Sequence, residues 1–445
     1  MTDNITNSRV NLFKNFSSDV IILIIGQILI AAIALFTSAL IARQLGLEDR
    51  GYLVMAMLLP NILIAFSDFG MGVAGTKFTA SKKWKSSIVF ASNIIFVLFR
   101  LTFISILGLF LIFFFSTALF PGIPNKYLYL GLLQILGLAI QGMLLPIFLG
   151  INKTKHYSLV LLVNSLIGVL FLIIAWQTTG LYIENIILLQ ASSSLLVSFY
   201  IIWKLKQFIK ERLVPSLKYL KEAFGFGSGI YISYVSIFTS EKIVIIILNF
   251  FGGVIYVSLH TIAQSLTERL YMITDAVGTI LFPRVAEGND NSIVLTPFIF
   301  KTTILIITAI SISISFLAEW LIILIYTSEF SGAIVILRLL LVSIIFSSGW
   351  NIISNDLNAR GFSKEIGYIN VLLAVITICF ATLLTYQYGV IGLAIASIIS
   401  YIIVLIVGLV FYIDKEEQIN IFNLFLFSQS EKTFIKNSLL KFFKK

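Results

Sequence analysis

Long apolar stretches recur from end to end of the chain, separated by short polar clusters, and most of them carry no polar stripe. Leu101 to Phe115, LTFISILGLFLIFFF, is apolar on every side of a helix. At about 1.5 Å per residue, roughly 20 such residues cross a hydrocarbon core about 30 Å thick. A β-barrel would show segments of about ten residues with alternating polarity instead. The pattern predicts an all-α integral membrane protein with about twelve spans, at 18–42, 51–73, 88–115, 128–150, 157–178, 183–203, 225–249, 254–281, 298–318, 332–356, 367–386 and 390–413. Several are joined by short turns only, which makes them antiparallel hairpins. The first is too long for a signal-peptide core and is expected to be retained. Composition agrees: of 445 residues, 59% are hydrophobic and 12% charged, outside the range of soluble globular chains.

Charge fixes the expected orientation. Most of the 31 Lys and Arg residues cluster on one side of the spans, among them Lys82, Lys83, Lys85, Lys153, Lys155, Lys204, Lys206 and Lys210, whereas Arg43, Arg50 and Lys126 lie on the other. The positive-inside rule puts the lysine-rich side and both termini in the cytoplasm. The net charge of +10 is thereby a topological signal and needs no nucleic acid to explain it. The basic tail, ending EKTFIKNSLLKFFKK, is expected either to lie on the anionic inner leaflet as an amphipathic helix or to be unstructured.

The longest basic connection divides the spans six and six. The expected organisation is a first bundle at 1–203, a linker at 204–224, a second bundle at 225–413 and a tail at 414–445. An internal echo supports this: LGLEDRGYLVMA at 45–56 against FGGVIYVSLHTIA at 251–263, setting Gly46 opposite Gly252. A second echo pairs GINKTKHYSLVLLVNSLIG at 150–168 with ARGFSKEIGYINVLLAVI at 359–376. Six spans is an even number, so the halves would share one orientation, a parallel pseudo-repeat about an axis along the membrane normal.

The stretch ALIARQLGLEDRGYLVMAMLLPNILIAFSDFGMGVAGTKFTA at 39–80 resembles the first hairpin of the polysaccharide-type flippases of the multidrug/oligosaccharidyl-lipid/polysaccharide exporter superfamily. YVSLHTIAQSLTERLYMITDAVGTILFPRVAE at 256–287 resembles their eighth span, and LNARGFSKEIGYINVLLAV and YGVIGLAIASIISY their last three. The resemblance implies a multi-pass inner-membrane protein that moves an undecaprenyl-pyrophosphate-linked oligosaccharide, for O-antigen, capsule or exopolysaccharide, to the outer leaflet by alternating access. It also implies a polysaccharide polymerase and chain-length proteins as partners. Lipid II flippases share Leu59, Pro60 and Asn61, but where they carry a basic pair and a first-span arginine this chain has Ile64, Ala65 and Phe36. A cation-coupled multidrug or small-molecule exporter of the same superfamily is the alternative.

Charges inside spans cost a few kcal/mol each, on the order of 2.5 to 3.5 at the centre, and mark candidate sites. Lys242, Arg269, Arg338 and Arg100 are candidates to bind the pyrophosphate. Salt bridging is the structural alternative for each, and snorkelling for Arg338. Asp68, Glu241, Glu268 and Asp275 are candidates for ion coupling or for pairing with those cations. Glu241 and Lys242 are adjacent, about 100° apart on a helix, so they cannot point the same way. Lys242 is expected to face a wet space between the halves. Tyr231, Tyr234, Tyr256 and Tyr271 could stack on sugars, or anchor and pack. His156 and His260 form no metal-ligand pattern, Cys379 stands alone, and no nucleophile constellation or phosphate loop is visible. No cofactor, metal or enzymatic activity is expected.

Overall fold

The computed structural model describes residues 2–286, 291–415 and 424. These residues form helices α1 (Thr2–Ser67), α2 (Met71–Ala80), α3 (Ser86–Leu119), α4 (Asn125–Gly131), α5 (Gln134–Leu144), α6 (Ile147–Gly150), α7 (Thr154–Thr178), α8 (Ile183–Phe208) and α9 (Leu217–Phe238). A π-helical turn, Thr239–Ile243, follows, and then α10 (Val244–Ala286), α11 (Asn291–Ile325), α12 (Ala333–Ala359) and α13 (Ser363–Lys415). Among the described residues there is no strand, and nine helical segments are long and apolar enough to cross a membrane. Helices suit that solvent because they satisfy their own backbone groups. The amphipathic tail expected at the C-terminus falls outside the described residues.

Three of the nine segments contain a sharp break, each at a glycine with left-handed φ: Gly46 (74°), Gly253 (70°) and Gly389 (59°). A side chain there would meet its own backbone, so glycine is the residue that permits the turn. The break near 252 lies at Gly253, one residue beyond the glycine set opposite Gly46. The single span expected at 128–150 is built from α4, α5 and α6, and Pro146, which cannot donate a helical hydrogen bond, opens α6.

The chain divides into two compact units. The first comprises Met1–Phe238 and Gly252–Ser258, the second Thr239–Phe251 and Leu259–Lys445. The first therefore runs past the boundary expected at 224, because the start of α9 is tied to α2 and α3. Tyr219 is fully buried, donates to Asn93 Oδ1 at 3.0 Å and packs edge-on against Trp84 and Phe78. Glu222 accepts from Trp84 Nε1 at 3.1 Å and pairs with Lys83 at 2.9 Å, while Ser87 donates to Glu211 at 2.9 Å. The Lys83 and Trp84 donors hold the Glu222 carboxyl below its ordinary value.

Between α1 and α2, Phe69 and Gly70 both take positive φ and end the helix at Ser67. A side chain on Gly70 would come within 2.4 Å of the Gly227 carbonyl on α9, so α2 and α9 approach closely here. The core of the second unit gathers Phe300, Trp350, Ile353, Leu357, Val404 and Tyr412. Trp350 donates to Asn370 at 3.1 Å, and fully buried Asp356 ties Arg360 to Thr296 on α11.

Candidate functional site

In the sequence Thr-Ser-Glu-Lys-Ile the helix widens to a single π-turn, which inserts a residue into the helical register and recurs at functional sites. The turn packs against α13. From it Lys242 reaches Glu268 on α10, Nζ to Oε1 at 3.1 Å, and Gln264 Nε2 donates to the same oxygen at 3.1 Å. The pair is not sealed: 33% of the Lys242 side chain and 44% of Glu268 remain exposed. Glu241 lies within Coulombic range of Lys242, Glu268 and Asp275. The next residue after Glu268, Arg269, has its Nε enclosed with no hydrogen-bond partner among the described residues.

One and two turns further along α10 the polar surface continues. Asn351 on α12 donates to Asp275 Oδ1 at 3.0 Å and to the Tyr271 hydroxyl at 2.9 Å, and Asn355 donates to Asn351 Oδ1 at 3.0 Å. Gly278 makes room for that amide pair, since a side chain there would meet Asn355 Nδ2 at 2.5 Å. Tyr401 of α13 lies within Coulombic range of Glu241, and buried His260 within that of Lys242. The second unit thus gathers Glu241, Lys242, Glu268, Arg269, Tyr271 and Asp275 on or beside α10. Among the described residues no group of His, Cys, Asp and Glu is placed to hold a metal.

The other candidates lie elsewhere. Arg100 belongs to the first unit, with 1% of its side chain exposed. Its Nε donates to Ser67 at 2.8 Å, one terminal nitrogen to Asp68 at 3.3 Å and the other to the Ile64 carbonyl at 2.5 Å. It caps the end of α1. Arg338 is exposed on α12 and donates to the Ser315 carbonyl at 3.2 Å. Tyr231 donates to the Phe66 carbonyl at 2.6 Å and its ring lies beside Phe69, while Tyr256 packs beside Gly252. Asn351 and Asn355 did not stand out in the sequence. Neutral amides in spans carry no charge to mark them, and their positions facing Tyr271 and Asp275 depend on how α10 and α12 pack.

This fold is shared with solved transporters. A structure described as lipid II flippase MurJ in the inward closed conformation superposes with TM-score 0.73 at 19% identity, covering 91% of this chain and 89% of that one. An inward-facing multidrug resistance transporter of the MATE family gives 0.68 at 16% identity, covering 87% and 96%. The class defined by the fold is that of the multi-pass helical membrane proteins. Within it, the chain belongs to the family described as polysaccharide biosynthesis protein, whose model matches residues 16–289. It is also similar to two membrane proteins of Methanocaldococcus jannaschii described as uncharacterized. MJ1375 is 25% identical over 382 residues, 82% of this chain and 90% of that protein; MJ1068 is 22% identical over 411, 85% and 80%.

Proposed function

We propose that this protein is an inner-membrane flippase that carries an undecaprenyl-pyrophosphate-linked oligosaccharide from the cytoplasmic to the outer leaflet, where a polysaccharide polymerase and chain-length proteins take it up. Membership of the polysaccharide biosynthesis family carries the reading, and the likeness to a lipid II flippase agrees with a lipid-linked substrate. On this reading each glycine break separates two spans, so nine segments with three breaks make twelve, and both termini are cytoplasmic by their charge. A parallel repeat is supported by the matched backbones at Gly46 and Gly253, whose ψ values are −172° and −177°. Left-handed residues Asn152 and Gly361 lie just before α7 and α13, and Gly180 and Gly389 fall at the later turns, extending the correspondence.

Lys242 is the cation best suited to the pyrophosphate. In a wet cavity a half-exposed lysine and carboxylate pair is worth about 0–1 kcal/mol. A pyrophosphate, with more charge and more acceptors, can displace Glu268 from it. Breaking a buried pair by removing one partner costs about 3–5 kcal/mol, so Arg100, enclosed by Asp68, Ser67 and Ile64, serves the structure of α1 and is withdrawn from the binding set. Arg269 stands beside Glu268 as the second cation.

The experiment is export of the surface glycan by cells carrying Lys242→Ala or Arg269→Ala, with membrane levels of the protein checked. Each is expected to cut export at least about tenfold, an effect of about 1.4 kcal/mol, and to leave lipid-linked oligosaccharide accumulating inside. Normal export by both variants overturns the site. The MATE-like fold and the acidic group Glu241, Glu268 and Asp275 favour a second reading, a cation-coupled small-molecule exporter. Loss of drug efflux on deletion, without build-up of lipid-linked sugar, would establish it instead.

A further inference from the structure

A cavity of about 430 Å³ opens inside the first unit, walled by α1 on both sides of Gly46 and by α5, α7 and α8. Its size falls within the roughly 300–1,000 Å³ of small-molecule sites. Among the described lining residues there is no carboxylate, lysine, histidine or cysteine, and the one ionic group is Arg50, 6% exposed, which donates to the Ser258 carbonyl at 2.9 Å. A fixed positive charge in the wall disfavours a metal cation or a proton carrier.

The neutral polar groups have a definite sense. Thr37 donates its hydroxyl hydrogen to the Ile33 carbonyl at 2.8 Å, Ser165 to Leu161 at 3.1 Å and Ser193 to Gln190 at 2.9 Å. Each donor is taken by its own helix, so what these hydroxyls have left to offer is lone pairs. Asn164 Oδ1 is enclosed and has no hydrogen-bond partner among the described residues. The wall thus offers these lone pairs together with N–H groups of Arg50 and of the Asn164 and Gln190 amides, holds no negative charge among the described lining residues, and has apolar patches such as Leu138 and Val169. Uncharged ligands whose hydroxyl groups both donate and accept, and which carry C–H faces, suit such a wall, and sugars are that class.

We infer that this cavity receives an uncharged sugar residue of the translocated glycan; the source of the sugar rests on the flippase reading above, the chemistry of the cavity does not. Gly168 gives a clean handle. A side-chain carbon there meets nothing within 4 Å and its φ is not left-handed, so substitution fills the cavity without distorting α7.

The test uses the full chain in its own membranes, with exposed Cys379 changed to Ser and Gly168→Cys introduced, and reads the rate at which a small maleimide alkylates the new thiol. Membranes loaded with the cell's own lipid-linked oligosaccharide are compared with membranes carrying undecaprenyl phosphate alone, with added methyl glycosides, and with sodium replacing choline. Alkylation is expected to slow at least about fivefold with the oligosaccharide lipid, to be unaffected by undecaprenyl phosphate or sodium, and to lose that protection in Asn164→Leu. Gly168→Phe is expected to block export while Gly168→Ala retains it. Protection by sodium, or equal rates throughout, overturns the inference. If neither the oligosaccharide lipid nor methyl glycosides change the rate while Lys242→Ala still abolishes export, the cavity assignment falls and the flippase reading stands. If free methyl glycosides protect and the oligosaccharide lipid does not, the sugar site stands and the flippase reading falls.

Discussion

Glu268 occupies the place on Lys242 that an anionic ligand must take, and this makes it a competitor of the proposed substrate as well as a partner of the lysine. Glu268→Gln keeps the shape and the Gln264 contact but removes the charge. The purified variant is expected to retain undecaprenyl phosphate about tenfold more tightly, by native mass spectrometry, while export falls because release is slowed; unchanged retention would separate Glu268 from the site. Arg100 makes the opposite prediction. Asp68→Asn leaves its enclosed guanidinium without a counter-charge, and loss of about 3–5 kcal/mol of stability is expected, read as a lowered melting temperature of the detergent-solubilised protein. Asp68→Leu combined with Arg100→Met should recover much of it. The sequence shows why these two cations were hard to separate. Each is a cation in an apolar span, and the difference lies in three short contacts around Arg100, two of them to α1 residues far away in sequence, Ser67 and Ile64.

At the scale of elements, the spans are legible because a hydrocarbon layer leaves a long apolar segment little choice but to be helical. The π-turn was not. It sits at the head of the run Ile243 to Leu248, where every position is aliphatic, so an inserted residue shifts no visible stripe. The three-piece construction of α4, α5 and α6 was half legible: Pro146 announces one break, while the interruption at Leu132 and Leu133 has no residue that demands it. If the π-turn sets the direction of Lys242, deleting Thr239 should restore α-helical register and turn the lysine away from Glu268. The variant is expected to insert at the normal level yet lose export by more than about tenfold; export at the normal level would show that the turn is dispensable.

For the whole molecule, the two echoes led to an expectation of two six-span bundles, and packing divides the chain into two compact units of interleaved segments. A polar, lysine-rich segment reads as a free linker. What binds residues 209–224 to the first unit is a handful of specific contacts from Tyr219, Glu222 and Glu211, each reaching a residue more than a hundred positions earlier. Glu222 gives this attachment a pH dependence of definite sign. Its carboxyl is held below the ordinary value by the Lys83 and Trp84 donors, so its contribution is complete above the unfolded-state value, about 4.3, and is lost as pH falls through the lower folded-state value. Hydrogen exchange across 209–224, corrected for intrinsic rates, is expected to accelerate below about pH 4. In Glu222→Gln the segment should exchange faster throughout and without that transition.

The same attachment gives the protein a built-in optical label. Of its five tryptophans, Trp84 has its indole nitrogen bonded to a carboxylate and its ring against Tyr219, whereas Trp350 is enclosed in the second unit with its nitrogen on Asn370. The emission of Trp84 should move when Glu222 is protonated and that of Trp350 should not. With the remaining three replaced, each unit carries its own intrinsic fluorophore, and events in one can be followed against the other without attaching a dye.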